Sequence, residues 1–455
     1  MAMSAGYIFF LVVSGVALLL FLVLKLKISA FIGLLITAIY VGILAGMPLN
    51  TILKSIQEGM GSTLGFVATV VGLGAIFGQM LESSGGAESL ARTLIRRFGP
   101  ERASWAMVIT GFIVAIPVFF DVGFIILVPI LYALSRDSKR SLLYYAIPLL
   151  AGLAVAHSFV PPTPGPVAVA DIINVQLGWV ILFGFLLGIP TAIIAGPLWG
   201  KVISRKIELL PPDDFLNSPV TTENQGKLPS FRLIAALIGL PLLLILLNTL
   251  SGVLVDRGLL PESLFTRVVK FAGHPFTALI IATLLAIWLL CIRRNMPRQT
   301  ILDLSNKALG PAGTIILITG AGGVLKQILV DSGIGKMMAE SMAGSSLSPI
   351  LLAWMLAAVV RITQGSATVA MITAAGIIAP ILEAVNLSDP MRALVVIAIA
   401  SGATILSHVN DSGFWLVGQY LRMDEKQTLQ SWTVMETIIA VCGLAFTILA
   451  SLFVN

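Results

Sequence analysis

Charged residues are scarce in this sequence, and their scarcity excludes an ordinary soluble protein. Only 11% of the 455 residues are Asp, Glu, Lys or Arg, whereas a soluble domain has about 25%. Hydrophobic residues make up 57% of the chain, and the mean hydropathy is +1.00. Apolar runs of roughly 20 residues, long enough to cross the hydrocarbon core of a bilayer, recur along the whole chain. The sequence therefore predicts an all-α polytopic membrane protein.

Residue types that build catalytic and metal sites are also few. The two cysteines, Cys291 and Cys442, and the three histidines match no metal-site spacing and no disulfide framework. The chain has no glycine-rich phosphate loop and no cofactor motif. Its net charge of +6 comes from basic residues in short loops between apolar runs, which is the positive-inside pattern and not a nucleic-acid surface. We expect no enzymatic activity, no cofactor, no metal and no nucleic-acid partner.

One segment of the chain occurs twice. Gly72–Gly85 aligns without gaps on Gly320–Gly333, and glycines, a glutamine, a leucine and a serine recur at the same places. The repeated Gln79 and Gln327 are interpreted as packing residues, because the glycines around them allow neighbouring helices to approach closely. A duplicated half is typical of secondary transporters, which bind their substrate between the two repeats.

The apolar stretch 105–134 has strongly basic residues on both flanks, so it should begin and end on the same side of the membrane. Its length of roughly 30 residues fits two half-length helices, since a full crossing takes about 20. Pro117 and the break at Asp121-Val122-Gly123 provide a place to turn. We predict a re-entrant hairpin, and the alternative is one long, tilted helix with a proline kink.

The basic loops between apolar runs indicate the direction in which each remaining helix crosses the membrane. Each half is predicted to have five transmembrane helices and one re-entrant hairpin, and the odd number of crossings inverts the second half relative to the first. The first repeat spans 1–200, a polar cytoplasmic linker spans 201–232, and the second repeat spans 233–455 with its hairpin near 347–381. Both chain ends then lie outside, and Arg392 falls on the outer side against the charge rule. The predicted crossings are 6–24, 31–46, 64–81, 142–159, 177–199, 233–250, 273–291, 308–328, 393–411 and 432–454.

Helix breaks inside the bilayer expose the backbone groups that a binding site needs. Besides the two hairpins, broken helices are predicted near 157–166, where four prolines fall within six residues, and near 407–413. Helix N-termini at such breaks carry partial positive charge, which favours an anionic substrate.

The motifs at these breaks resemble those of the gluconate permease (GntP) family. They are Phe119-Phe120-Asp121-Val122-Gly123, His157-Ser158-Phe159-Val160-Pro161-Pro162-Thr163-Pro164, Gly365-Ser366-Ala367-Thr368-Val369-Ala370 and Asn410-Asp411-Ser412-Gly413-Phe414-Trp415-Leu416-Val417. The resemblance covers essentially the whole chain. It implies a bacterial inner-membrane protein that imports gluconate or a related sugar acid together with protons, so the outward chain ends assigned from the charges would be periplasmic. Membership of the wider ion transporter superfamily further implies a homodimer whose transport domain moves against a scaffold domain like an elevator.

Four titratable residues at the breaks are candidates for proton coupling. Asp121 and Asp411 are carboxyls within membrane-embedded segments, where such groups usually mark ion pathways; the alternative for both is a helix cap or an ion pair. His157 and His408 occupy matching positions in the two broken helices and would extend a proton relay, although a neutral structural histidine is the alternative for each.

Six polar residues are candidates for substrate binding. Arg361 has a planar fork of donors that matches a carboxylate, but it would also fit an ion pair with Asp411 or a position at the outer headgroups. The other five offer short hydroxyl or amide groups to a polyhydroxy acid, with hydrogen bonding to their own helix as the alternative. They are Thr163, Ser366, Thr368, Asn410 and Ser412.

Two other transport functions stay open. A sodium-coupled carboxylate or hydroxylated amino-acid carrier of the same superfamily is one, although such relatives typically have Ser-Asn-Thr at the hairpin tips. A proton-conducting subunit of a membrane complex is the other, but it would have several intramembrane lysines, and Lys326 is the only lysine well inside an apolar run.

Overall fold

The computed structural model describes residues 5–211, 228–334, 348–385 and 387–454, and all regular elements in these ranges are helices. A helix satisfies its backbone hydrogen bonds internally, which a bilayer requires. Within these ranges, eight helical stretches are long and apolar enough to cross a membrane: Leu49–Ser83, Leu143–Ile173, Leu177–Ile203, Phe231–Asp256, Pro275–Arg294, Arg298–Asp331, Ala367–Val385 and Glu425–Ser451. Much of the linker predicted at 201–232 lies outside the described residues.

Residues 5–211 form ten α-helices. In chain order they are α1 (Ala5–Leu20), α2 (Ala30–Leu44), α3 (Leu49–Ser83), α4 (Gly86–Phe98), α5 (Ala103–Ala115), α6 (Phe120–Ser138), α7 (Leu143–Phe159), α8 (Pro164–Ile173), α9 (Leu177–Ile193) and α10 (Trp199–Ile203). A π-helical turn, Phe21–Lys25, extends α1, and another, Ile194–Leu198, joins α9 to α10.

The described residues from 228 onward form ten more. They are α11 (Phe231–Asp256), α12 (Leu264–Ala272), α13 (Pro275–Ala286), α14 (Arg298–Asp331), α15 (Pro349–Gln364), α16 (Ala367–Val385), α17 (Asp389–Gly402), α18 (Ser412–Leu421), α19 (Glu425–Thr428) and α20 (Val434–Ser451). A π-helical turn, Leu429–Thr433, connects α19 to α20.

Several predicted boundaries are wrong, and polar helical turns are the main reason. The helix predicted at 64–81 begins at Leu49, because its first turns are helical but too polar to register as an apolar run. The loop predicted to follow it contains the amphipathic helix α4. The helix predicted at 393–411 ends at Gly402, and the following non-helical segment reaches Asp411. Hydroxyl groups in that segment, such as Thr404, bond to nearby carbonyls and compete with helix formation.

The stretch predicted as the first hairpin consists of two helices, but its break lies earlier than expected. Helix α5 ends at Ala115 and α6 begins at Phe120, so Asp121 lies in the first turn of α6 and not in the turn itself. Pro117 lies within the break. The second predicted hairpin is likewise two helices, α15 and α16, separated by Gly365 with a φ of +79°.

The described elements recur in a similar order in the two halves of the chain. A long helix (α3 or α14) precedes the two helices of each predicted hairpin (α5–α6 or α15–α16), and a broken helix follows (α7–α8 or α17–α18). The two long helices cross closely: a Cβ on Gly59 would lie only 2.7 Å from the Gly323 carbonyl oxygen. Helices α7 and α17 are almost wholly buried and form the centre of the core.

Candidate functional site

The N-termini of three helices lie at one cavity. The first residues of α6, α16 and α18 line one cavity, contributing Phe120 and Asp121, Ala367 and Thr368, and Ser412 and Gly413 respectively. Each helix N-terminus presents unpaired backbone N–H groups and the positive end of the helix dipole. Three such ends directed at one space form a site that favours an anion.

The cavity has a volume of about 350 Å³, within the range of about 300–1,000 Å³ of small-molecule sites. Asp121, Asn410 and Ser412 are exposed there, so the cavity is open and not sealed. Its other lining residues are mostly polar or small. They are Ala154, His157, Ser158, Arg361, Gln364, Gly365, Ser366, Thr404, Asp411, Trp432 and Glu436.

Arg361 and Asp411 form a buried ion pair at this cavity. The Arg361 Nη2 atom lies 2.6 Å from Asp411 Oδ2, and the two side chains are only 4% and 11% exposed. Arg361 Nη1 donates to the carbonyl oxygen of Gly365, in the turn of the second hairpin. Its Nε atom is buried and has no partner among the described residues. Arg361 thus keeps one donor unused beside the cavity.

The Asp411 side chain has several hydrogen-bond partners besides Arg361. Besides the arginine, it accepts a hydrogen bond from Ser407 Oγ, and its Oδ1 accepts one of 3.1 Å from the backbone N–H of Gly413. The latter bond caps the N-terminus of α18. Trp432 Nε1 in turn donates to Ser407 Oγ at 2.6 Å. Both structural roles considered for Asp411, the cap and the ion pair, are therefore present.

Asp121 differs from Asp411 in its environment. It lies in the first turn of α6 with its side chain exposed to the cavity. The described residues provide it with no hydrogen bond or ion pair, although its charge interacts with that of Asp411. Asp121 therefore faces the cavity without a partner among the described residues, whereas Asp411 is bonded to three neighbouring groups.

Two predicted site residues do not line the main cavity. Thr163 is buried, donates to the Val160 carbonyl at 2.6 Å, and lines a smaller neighbouring cavity of about 20 Å³. His408 Nε2 lies 3.0 Å from the Ile362 carbonyl oxygen. Both contacts match the structural alternative considered for these residues. The other eight predicted residues line the main cavity: Asp121, His157, Arg361, Ser366, Thr368, Asn410, Asp411 and Ser412.

His157 lies between the two cavities. It lines both of them, and its ring packs near that of Phe119 with centroids 6.2 Å apart. Its Nδ1 atom is buried without a partner among the described residues. An unpaired ring nitrogen at the boundary of two cavities leaves this side chain free to bond with a ligand or with water.

Hydroxyl and amide groups at the cavity differ in how many hydrogen bonds they already make within the protein. Ser366 Oγ accepts a weak bond of 3.4 Å from the Val369 N–H. Asn410 Nδ2 donates to the Ile362 and Thr363 carbonyls at 2.9 and 3.3 Å, which ties the α18 break to the second hairpin. Thr368 and Ser412 make no side-chain hydrogen bond within the described ranges, so their hydroxyls are available.

Among the cavity residues that sequence reasoning did not assign to the site, three stand out: Gln364, Trp432 and Glu436. Gln364 has both amide atoms buried and unpartnered in the described part of the chain, and it directly precedes the predicted hairpin tip. Trp432 and Glu436 lie on and beside the π-helical turn before α20, inside a segment assigned only as a crossing. An acidic residue in a membrane helix is itself a signal for function, and this signal would have identified Glu436 from the sequence. No group of His, Cys, Asp and Glu among the described residues is arranged to hold a metal ion.

Comparison with known proteins gives consistent matches along the chain. The sequence profile described as GntP family permease matches residues 7–453. The chain is 43% identical to the low-affinity gluconate transporter of Escherichia coli (strain K12) over 431 residues, 95% of each protein. It is 41% identical to the Gnt-II system L-idonate transporter of the same strain over 437 residues, 95% of this chain and 97% of the relative. The solved structure of the Alcanivorax borkumensis YdaH transporter shares the fold, with a TM-score of 0.58 at 13% identity over 88% of both chains.

Proposed function

The chain belongs to the GntP permease family, and from this premise we propose that it imports gluconate or a related sugar acid across the bacterial inner membrane in symport with protons. The observation that carries the proposal is the convergence of three helix N-termini and the Arg361 guanidinium on one polar cavity. This arrangement favours an anion of small-molecule size. Relatives named as gluconate and L-idonate transporters support a sugar acid as that anion.

The substrate carboxylate binds near Arg361 and the N-termini of α16 and α18. Arg361 is partly occupied by Asp411, so it contributes its remaining donor capacity and its charge. The sugar hydroxyls bond to Ser366, Thr368, Asn410 and Ser412, which line the same cavity. Each buried hydroxyl needs such a partner, because leaving one unpaired costs about 1–3 kcal/mol. Thr163 would join the site only if the smaller neighbouring cavity opened to the main one.

Protons enter the cycle through titratable groups at the cavity. Asp121 and Asp411 carry negative charge into a site that must accept an anion, and protonation of a carboxyl removes the resulting repulsion. His157 lines the same cavity as Asp121 and would relay the proton. His408 would take part only after releasing the Ile362 carbonyl.

Access alternates between the two sides by an elevator movement of inverted repeats. The recurring element order supports two repeats, 1–200 and 233–455, joined by the linker 201–232. The closely crossed α3 and α14 belong to the scaffold, and the two hairpins with the broken helices form the moving body. The protein functions as a homodimer with both chain ends in the periplasm.

Uptake into proteoliposomes tests the proposal. Purified protein is reconstituted and given labelled gluconate with an acid exterior, with and without an uncoupler, in sodium-free buffer. We expect accumulation that the uncoupler abolishes. A panel of L-idonate and other sugar acids runs in parallel, because substrate choice within this class is decided by individual hydroxyl contacts.

Other outcomes separate the alternatives. Accumulation that requires sodium would replace proton coupling by sodium coupling and keep the architecture. Proton flux without any substrate would favour a proton-conducting subunit. Folded protein that neither binds nor transports any sugar acid in the panel would contradict the proposed substrate class.

A further inference from the structure

Glu436 is a buried acid at the cavity that none of the predicted site residues includes. It is only 3% exposed, lies in the first turn of α20 directly after the π-helical turn Leu429–Thr433, and lines the cavity. Within the described ranges its carboxyl makes no hydrogen bond and no ion pair. π-helical turns are rare and are frequently found at functional sites. Here the turn positions Trp432 and Glu436 on the cavity wall.

The three acids at the cavity have different surroundings. Asp411 has an arginine, a hydroxyl and a backbone N–H as hydrogen-bond partners. Asp121 is exposed, so cavity water can solvate its charge. Glu436 has neither partners nor full solvation, and an ionised carboxylate in that position is costly. Glu436 is therefore the acid at the cavity whose charge would be least compensated by partners or water.

The charged groups facing Glu436 make its protonation responsive to the occupancy of the site. Arg361 on α15 and Asp411 before α18 both act electrostatically on its carboxyl. His157 on α7 and Asp121 on α6 line the same cavity. Helices α17 and α9 also pack on α20; α9 has no titratable side chain, and Asp389 and Arg392 of α17 line a different cavity. A bound anion adds negative charge beside Glu436 and so favours its proton.

We infer that Glu436 is the residue that binds the coupled proton, an assignment that rests on the proposed symport. The proton from the outer solution adds to a carboxylate oxygen of Glu436, and the neutral acid allows the anionic substrate to bind beside Arg361. After the substrate leaves on the inner side, the proton passes to cavity water. The ionised Glu436 then shares the Arg361 guanidinium with Asp411. Coupling follows because the anion and the unprotonated acid exclude each other.

The test compares Glu436→Gln with the wild type in two transport assays. Glutamine keeps the shape of a protonated glutamate but cannot release a proton. For one proton per monovalent anion, an inward gradient of about one pH unit drives about tenfold accumulation. We expect the variant to lose this accumulation and equilibrate near a ratio of one, while exchange of labelled for unlabelled substrate at equal pH continues. Glu436→Asp should retain part of the accumulation.

Glu58→Gln is the matched control, because Glu58 is an exposed residue of α3 paired with Lys54 outside the cavity. It should accumulate substrate like the wild type. Unchanged accumulation in Glu436→Gln would overturn the inference. Loss of both exchange and accumulation in folded Glu436→Gln and Glu436→Asp would also overturn it, because Glu436 would then serve substrate binding alone.

A second measurement uses no substrate and so separates this inference from the proposed function. Infrared difference spectra of the purified protein between acidic and alkaline buffer report carboxyl groups that take up protons. We expect a protonated-carboxyl band in the wild type and in Glu58→Gln that is absent from Glu436→Gln. An unchanged band in Glu436→Gln would refute the assignment even if the sugar-acid substrate proved wrong.

Discussion

Arg361 connects two separate segments of the site. Its guanidinium joins the turn of the second hairpin, through Gly365, to the α18 break, through Asp411. The sequence predicts that it holds the substrate, pairs with Asp411 or reaches the outer headgroups. The structure contains the pair with Asp411, and Nε has no partner among the described residues. The planar fork of arginine allows both functions at once, since separate nitrogens serve separate partners.

Arg361→Lys should separate charge from geometry. Lysine keeps the positive charge but has no fork, so it would hold either Asp411 or the substrate. A hydrogen bond to a charged group contributes about 1.5–3 kcal/mol, so we expect the KM for uptake to rise roughly ten- to a hundredfold. The measurement is initial uptake against substrate concentration. Arg267→Lys, at an exposed position, serves as control. An unchanged KM would place the substrate carboxylate elsewhere.

Asp411→Asn should lower stability through the loss of its charge. Asparagine retains the cap on α18 but leaves Arg361 buried without its counter-charge, which costs about 3–5 kcal/mol. Thermal unfolding in detergent measures the change. Asp137→Asn, at an exposed pair with Arg136, should cost less than about 1 kcal/mol. In the double variant with Arg361→Met, part of the lost stability should return; if it does not, the ion pair is not the cause.

At the scale of elements, the crossing of α3 and α14 depends on a glycine. A Cβ on Gly59 would lie 2.7 Å from the Gly323 carbonyl oxygen and 2.8 Å from Val324 Cα, so neither contact can yield without moving backbone. The second copy of the repeated segment, Gly320–Gly333, therefore contains glycine where α3 crosses it. The interpretation of these glycines as close-approach positions is confirmed at Gly323.

Gly59→Ala and Gly61→Ala form a matched pair on one helix. Alanine at 59 must push α3 and α14 apart, and overpacking of this kind typically costs about 1–3 kcal/mol. Alanine at 61 meets nothing within 4 Å, so its stability should stay the same or rise slightly with helix propensity. Thermal unfolding of both variants in detergent measures the difference in their stability. Equal stability of the two would show that the helices separate freely at this crossing.

At the scale of the whole molecule, the elevator proposal requires α14 and α16 to move past each other. Lys326 of α14 and Glu383 of α16 form an ion pair of 2.9 Å across this boundary. Asp171 of α8 is electrostatically coupled to the same lysine. If the hairpins move against the scaffold, these partners must separate during each cycle.

A cross-link between positions 326 and 383 tests that movement. Lys326→Cys and Glu383→Cys are combined in a chain whose Cys291 and Cys442 are replaced by serine, and a short thiol reagent joins them. We expect uptake to stop after cross-linking and to return when the link is reduced, whereas each single variant transports throughout. Full transport by completely cross-linked protein would show that these helices do not move relative to each other.

The sequence by itself determined the class of the protein, its family and the breaks in its helices. These properties are local or additive: apolar run length marks helices that cross a bilayer, and proline or glycine interrupts them wherever the chain folds. The four break motifs pointed to the gluconate permease family, and family membership is confirmed by the match over residues 7–453. Helix ends in polar sequence, as at Leu49, were missed because hydropathy does not register them.

The tertiary structure alone decided which side chains share the cavity. It brought Asp121, Arg361 and Asp411 together, left Thr163 and His408 outside, and added Gln364 and Glu436. These positions are separated by up to hundreds of residues, and whether a side chain faces the cavity depends on the rotation of each helix about its axis. That rotation is set by packing against neighbouring helices, such as the close contact at Gly59 and Gly323, and not by the hydropathy of the segment.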